Sequence, residues 1–269
     1  MQHSDFPRGT VWLVGAGPGD PELLTRKAEG LLKRADIVFF DALVGPGVLA
    51  LIPLHVEQVS VGKRSGRHSK AQATSDSLLG AAALEGKRVV RLKGGDPSMF
   101  ARSAEEMSAL GQAGIAFSVC PGVTAASAAA ASARISLSLR DFARRVQFIT
   151  AHARDGQELD LDWAALADEQ TTLAFYMGRE AAGEISARLI AAGRNPATPV
   201  LIACEISLPS ERLLSTRLDL LPLATAVLAD TAPTLILIGE ATSRASWSTS
   251  RSTTRGLQND EHLADSDRP

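Results

Sequence analysis

"VRLKGGDPSMFARSAEE", Val90 to Glu106, is the stretch on which the reading of this chain turns. It opens as a short β-branched run of the kind that forms a buried strand. The run stops at Gly94-Gly95, an Asp-Pro and a Phe-Ala-Arg, and a helical pattern follows. Two bare glycines at the end of a strand have two physical uses. Either the turn is unusually tight, or another group lies close against the backbone.

Outward from this stretch, short β-branched runs alternate with longer Ala/Leu-rich segments. "TVWLVGAG", "DIVFFD", "VEQVSVG", "KRVVRLKG" and "IAFSVCPG" read as strands. "PELLTRKAEGLLKRA" and "SDSLLGAAALEG" read as helices, the first with Leu23, Leu24, Ala28, Leu31 and Leu32 at helical spacing. The alternation predicts an α/β fold with a largely parallel sheet. The pattern restarts after about Arg140 with "RVQFITAH", "TTLAFYMG", "PVLIACE", "RLLSTRL" and "PTLILIGEA". These strands follow one another closely, so the second half is expected to be mixed. "REAAGEISARLIAAG" is a helix between two of them, with Gly193 at its C-terminal cap. The expectation is two α/β domains, 8–135 and 143–242, meeting near residues 133–145. The polar, aperiodic residues 243–269 read as a disordered tail.

Bulk properties narrow the function. The chain has 269 residues and a formal net charge of -2, so no global basic field attracts nucleic acid. Its two cysteines, Cys120 and Cys204, sit in apolar runs and read as buried free thiols, with neither a disulfide framework nor a metal-binding spacing. "GVTAASAAAASARISLSL" is Ala- and Ser-rich and reads as a tightly packed helix, not a membrane span. The start lacks an apolar signal core, and the expected location is the cytoplasm.

The first turn, "VWLVGAGPGDPELLT", offers a tempting dinucleotide reading, with Asp41 ending the next strand where a ribose-binding acid would sit. The spacing argues against it. The third glycine of that pattern is replaced by Asp20, and Pro18 removes an amide that a phosphate would use. Asp20 reads as a helix N-cap, in the place a pyrophosphate would need. What stays open is a plain tight turn at a cleft floor or a turn that also touches a non-phosphate ligand.

Taken together, "VGAGPGDPELLT", "DALV", "VGKRSG", "GKRVVRLKGGDP", "PGVTAAS", "LRD", "FYMG" and "LILIGEA" resemble the uroporphyrinogen-III C-methyltransferases of the tetrapyrrole methylase group. They run in family order from about Val11 to Ala241. The resemblance implies two α/β domains with S-adenosyl-L-methionine in the cleft between them. It also implies two methyl transfers to ring carbons of uroporphyrinogen III, giving precorrin-2 for sirohaem or cobalamin synthesis, by a homodimer that needs no metal.

The same resemblance distributes roles. Pro18, Gly94, Gly95, Asp96, Met99, Thr124, Ala125, Met177 and Ile206 fall on cofactor positions. Asp41 falls on a proton acceptor and Lys63 on a proton donor. Arg102, Glu105, Arg140 and His152 fall on substrate positions. The residue types suit these roles, since small groups and backbone shape a pocket and an arginine fork binds a carboxylate of the substrate. Read without the resemblance, Asp41 is a solvated strand-end carboxylate, Lys63 a surface lysine and Met177 a core methionine. The chain departs from the family at "SMFARSAEE", where relatives carry more glycine, at Leu139 and at Cys204. These departures motivate a second reading, a related methyltransferase acting on a later corrinoid precursor. The "GAGPG" turn with Asp41 would suit a nicotinamide-dependent oxidoreductase, and a cleft that kept its cofactor but lost activity would make a non-catalytic binding module.

Overall fold

The computed structural model describes residues 5–62, 77–140, 142–152, 159–228 and 232–244. Lys63, Asp141 of "LRD" and tail residues 245–269 lie outside these. Among the described residues the strands form two sheets of five. The first contains β1 (Val11–Gly15), β2 (Ile37–Phe40), β3 (Glu57–Ser60), β4 (Val89–Lys93) and β5 (Phe117–Cys120). Its order is β3-β2-β4-β1-β5 and every pairing is parallel.

Period-2 alternation sorts the side chains of this sheet onto two buried faces. Trp12, Val14, Val38, Val90 and Leu92 face α1 (Arg26–Leu32) and α2 (Pro46–Leu49), meeting Ala28, Leu31, Leu32 and Val48. Val11, Leu13, Ile37, Phe39 and Val89 face the other way, against Leu79 of α3 (helical over 77–84) and Leu110 of α4 (Ser103–Gln112). The dinucleotide fold sets its first strand beside its second. Here β4 lies between them.

The segment read as one helix from Pro21 is two pieces. Asp20 caps a 3-10 turn, Pro21–Leu23, by accepting from the Glu22 amide at 2.8 Å. The chain then extends at Leu24, and Thr25 caps α1 by accepting from the Ala28 amide at 3.1 Å. Two successive capping residues restart the helix, which the apolar spacing alone could not reveal.

The second sheet contains β6 (Arg145–Thr150), β7 (Thr171–Tyr176), β8 (Pro199–Cys204), β9 (Arg212–Arg217) and β10 (Thr234–Ile238), in the order β6-β7-β10-β8-β9. It is mixed, as expected: β6 and β7 are parallel, the other pairs antiparallel. Leu173, Phe175, Ile202 and Ile236 on one face pack on α6 (Trp163–Leu166), α7 (Ala182–Ala191) and α8 (Leu221–Ala226). Gly193, at φ +101°, lets the chain leave α7. The opposite face is covered by α5 (Ala125–Ala133), which follows the last strand of the first sheet. Ala126, Ala129 and Ala133 sit on Ala174, Leu201, Ala203, Leu235 and Leu237. A stripe of alanines lets this helix lie close to the second sheet, so α5 couples the two halves. Both cysteines are buried and free.

Glycine packing yields a stability test. A Cβ on Gly122 would sit 2.3 Å from the Gly95 carbonyl oxygen and 2.9 Å from the Gly15 Cα. Gly122→Ala is expected to destabilise the fold by about 1–3 kcal/mol through overpacking. A Cβ on Gly30, inside α1, would meet nothing within 4 Å. Gly30→Ala is expected to stabilise by about 0.5–1 kcal/mol. Urea denaturation of both variants checks the opposite signs.

Candidate active site

The strand ends of the first sheet carry the turns that the sequence reading singled out. Crevices of this kind of sheet lie at the C-terminal ends of its strands. The turn after β1 and the turn after β4 are zipped together. Gly17 donates to the Gly95 carbonyl at 3.1 Å, and Gly95 donates to the Gly17 carbonyl at 2.8 Å. The two glycines after β4 are bare for different reasons. A Cβ on Gly94 would lie 2.6 Å from the Leu43 Cβ, so Gly94 is required by packing within the protein. Gly95 has φ +72°, and a Cβ there would meet nothing within 4 Å. Only Gly95 therefore needs glycine for its conformation and leaves room for a ligand against its backbone.

Asp96 is 9% exposed and faces back into the protein. One carboxylate oxygen accepts from the Ser98 amide at 2.7 Å and from the Ser98 hydroxyl. The other accepts from the Gly122 amide at 2.8 Å. Asp96 thus fastens the turn after β4 to the turn between β5 and α5. Met99, half-buried, follows in the same turn, its amide donating to the Asp96 carbonyl at 3.1 Å.

Two turns of the second half close on this set. Tyr176, the last residue of β7, reaches Thr124 and Ala126 at the start of α5. Its phenol oxygen lies 2.6 Å from the Thr124 hydroxyl and accepts from the Ala126 amide at 3.2 Å. Thr124 occupies the N-cap of α5 without making the capping bond itself, and the phenol supplies an acceptor there instead. Burial pushes the Tyr176 phenol up, opposed by its Thr124 hydrogen bond, so it stays protonated at neutral pH. Phe100 and Phe148 flank its ring at centroid distances of 5.1 and 6.1 Å. Met177 follows at φ +56° and is 49% exposed, so it is not a core methionine. The second closing turn, 205–208, carries Ile206, which is buried, between Glu205 and Ser207 at φ +49° and +64°. The Ser207 hydroxyl accepts from the Asp20 amide at 2.9 Å, and Leu208 fills the space that a side chain on Gly19 would take. Pro18 lies in this tied turn. Backbone and small-residue contacts therefore gather Pro18, Gly94, Gly95, Asp96, Thr124, Ala125, Met177 and Ile206 from both halves.

Asp41 directly follows β2, beside Gly94. One of its carboxylate oxygens accepts from the Leu43 amide at 3.0 Å and lies 3.4 Å from the Gly94 amide. The other faces the Arg91 guanidinium at 3.7 Å. It is neither a freely solvated carboxylate nor a buried one, with its side chain 22% exposed. Behind it lies a buried charge cluster that the sequence reading missed. Arg91 and Lys93 leave β4 on the α4 side, and Glu106 of α4 accepts from both, at 2.9 and 2.5 Å. Glu106 is 0% and Lys93 2% exposed. Burial, and behind it the Arg91 charge, push the Lys93 ammonium below the usual lysine range, with Glu106 opposing. Two cations at i and i+2 in a strand covered on both faces were the available signal, because such charges need a partner.

Arg102, the N-cap of α4 at φ +53°, is forked onto Glu105, with nitrogen–oxygen distances of 2.9 and 2.5 Å. Both side chains are about half exposed. The Arg102 hydrogen bond lowers the Glu105 carboxyl. Glu106, its neighbour, is not on the exposed face with them. Arg140 is exposed in the turn before β6. His152 is exposed just after β6, at the strand end that lies beside Tyr176 and Met177. No described helix is long and apolar enough to cross a membrane. No group of three His, Cys, Asp or Glu suited to a metal is found among the described residues.

Two α/β halves tied together at glycine-rich strand ends define the architecture of the chain. A family model of tetrapyrrole (corrin/porphyrin) methylases matches residues 10–222, and the chain belongs to that family. It is 48% identical over 241 residues to the siroheme synthase of Zymomonas mobilis, covering 89% of this chain and 50% of that protein. It is 45% identical over 237 residues to the uroporphyrinogen-III C-methyltransferase of Paracoccus denitrificans, covering 88% of this chain and 83% of that one. The chain spans about half the length of the siroheme synthases it matches. The crystal structure of a uroporphyrin-III C-methyltransferase from Thermus thermophilus, complexed with S-adenosyl homocysteine, superposes with TM-score 0.73 and 37% identity over 87% of this chain and 99% of that one. A cobalt precorrin-4 methyltransferase superposes with TM-score 0.78 and 30% identity over 88% and 98%.

The Tyr176 bridge predicts a coupling. Tyr176→Phe removes the acceptor at the start of α5 and is expected to cost about 1–2 kcal/mol. Thr124→Val removes the other partner. Thermal or urea unfolding of the two single variants and the double variant should show the double costing less than the sum.

Proposed function

We propose that the chain is an S-adenosyl-L-methionine-dependent C-methyltransferase that methylates uroporphyrinogen III twice to give precorrin-2. What supports this reading is that the turns carrying Pro18, Gly94, Gly95, Thr124, Ala125, Met177 and Ile206 are tied to one another across the two halves, in a chain that belongs to the tetrapyrrole methylase family. Backbone, small side chains and apolar groups of this kind give shape to a pocket for a nucleoside bearing a sulfonium side chain, and the bare face of Gly95 leaves room for it. When bound, the cofactor supplies an electrophilic methyl group. Each transfer forms one carbon–carbon bond, breaks one carbon–sulfur bond and releases one proton.

In this reading Met99, Met177 and Ile206 exclude water from the cofactor side. Asp96 acts indirectly, since both its oxygens are engaged: it holds the Gly94–Gly95 turn against Gly122. Asp41 accepts the proton that leaves the macrocycle, and Lys63 is the donor. The substrate is rich in carboxylates. Arg102, aimed by Glu105, binds one of them, with Arg140 and His152 as further contacts. Glu105 is thus a positioning residue for Arg102. The chain acts in the cytoplasm as a homodimer, with 8–135 and 143–242 as its two domains and no metal. Sedimentation and limited proteolysis address the dimer and the division.

The dinucleotide reading loses its ground. Asp20 uses its carboxylate as the cap of the 3-10 turn, and the strand order is not that of the nicotinamide fold. Incubation with uroporphyrinogen III and labelled S-adenosyl-L-methionine tests the main reading: a dimethylated product by mass and absorbance is expected. Transfer only to a later corrinoid precursor would replace it. Arg102→Ala should lower kcat/KM for uroporphyrinogen III about tenfold to a hundredfold while calorimetry shows unchanged S-adenosyl homocysteine affinity. Arg102→Lys should recover part, because an ammonium cannot reproduce the fork. Kinetics within twofold of wild type would make the Arg102–Glu105 pair purely structural.

A further inference from the structure

The charge cluster behind Asp41 has a geometry that packing alone does not require. Arg91 is anchored at two points: its Nε donates to Glu106 at 2.9 Å and its Nη1 to the Leu92 carbonyl at 2.9 Å. That same Nη1 faces the Asp41 carboxylate at 3.7 Å. Glu106 cannot neutralise its surroundings alone, because Arg91 and Lys93 are both bonded to it. The positive charge left over is balanced by Asp41, the acid at the mouth of the cluster. Asp41 in turn is oriented from its other side by the Leu43 amide, with the Gly94 amide near. One of its oxygens is thereby given to the backbone, and the other is turned toward a cation too far away to hydrogen-bond it.

We propose that Arg91, aimed by the buried carboxylate of Glu106, is a positioning residue that holds Asp41 as the proton-accepting group at the cleft floor. The inference rests on the reading of Asp41 given above. Among the described residues, the charged groups around Asp41 are Arg91 and Lys93 from β4 and Glu106 from α4, with Glu105 within the field of Lys93. A guanidinium fixed at two points holds a carboxylate in one place without taking the lone pair that must receive a proton. A lysine in its place would swing on a flexible stem. This also accounts for Glu106 being sealed from solvent while Glu105, one residue earlier, faces outward with Arg102.

The test uses Arg91→Met, Arg91→Lys, Asp41→Asn and the double variant Arg91→Met/Asp41→Asn of the full chain. Arg91→Met leaves the Lys93–Glu106 pair in place and removes the cation facing Asp41 together with the two bonds that anchor it, to Glu106 and to the Leu92 carbonyl. The amide resonance of Leu43, which donates to Asp41, should move in Arg91→Met in the direction it moves in Asp41→Asn, and move less in Arg91→Lys. This readout does not depend on turnover, so it separates failure of the inference from failure of the functional reading. In the uroporphyrinogen III assay, Arg91→Met should lower kcat tenfold or more, with KM and S-adenosyl homocysteine affinity within threefold. Arg91→Lys should restore part, and the double variant should be no slower than Asp41→Asn. An unmoved Leu43 amide, or losses that multiply in the double variant, would overturn the proposal and leave the cluster as a tie between α4 and β4. If Arg91→Met does not fold, the same resonance and kcat comparison on Arg91→Lys decides: values equal to wild type in both overturn it.

Discussion

The backbones of three turns meet at a distance that no side chain permits. Gly15, Gly95 and Gly122 stand where the ends of β1, β4 and β5 converge, and a Cβ on Gly15 or Gly122 would fall within 3 Å of its neighbours' main chain. Because these turns touch, the strand ends form one continuous floor. Asp96 extends the contact by linking Ser98 to Gly122. The double hydrogen bond between Gly17 and Gly95 extends it in the other direction. The turns at the strand ends are all referred to this floor.

The second half is held to the floor through α5. The helix leaves the crossing just after Gly122 and lays its alanines on the far sheet. Tyr176 then returns from that sheet to the helix start. Apolar packing sets the distance between the halves, and a directional hydrogen bond sets the register at the cleft. The arrangement links the segment read as cofactor-binding, Thr124-Ala125, to Phe100 through one aromatic ring.

The charged residues follow the same geometry. Arg91 and Lys93 point to the α4 side because β4 alternates, and they are buried because helices cover both faces of a parallel sheet. Their burial obliges α4 to supply Glu106, which places Arg102 and Glu105 at the exposed start of that helix. One buried ionic requirement thus fixes the orientation of the helix that presents the arginine fork.

The sequence by itself determined the two α/β halves, the parallel first sheet, the mixed second sheet, the end of α7 at Gly193 and the family, because period, turn chemistry and short motifs are local properties. It also singled out the turns that the structure ties together, but not the contacts that tie them. That Gly94 is bare because of Leu43, while Gly95 is bare for its own φ, depends on a loop about fifty residues away in the chain. The break at Leu24 arises because both caps act, Asp20 on the 3-10 turn and Thr25 on α1. The pairing of Glu106 with Arg91 and Lys93, while Glu105 takes Arg102, depends on which face of α4 turns to the sheet. Asp20 caps its own turn, as its position suggested, but its amide is claimed by Ser207 from the other half. Contacts between residues remote in the chain are set by the packing of whole elements, and only the tertiary structure decided them.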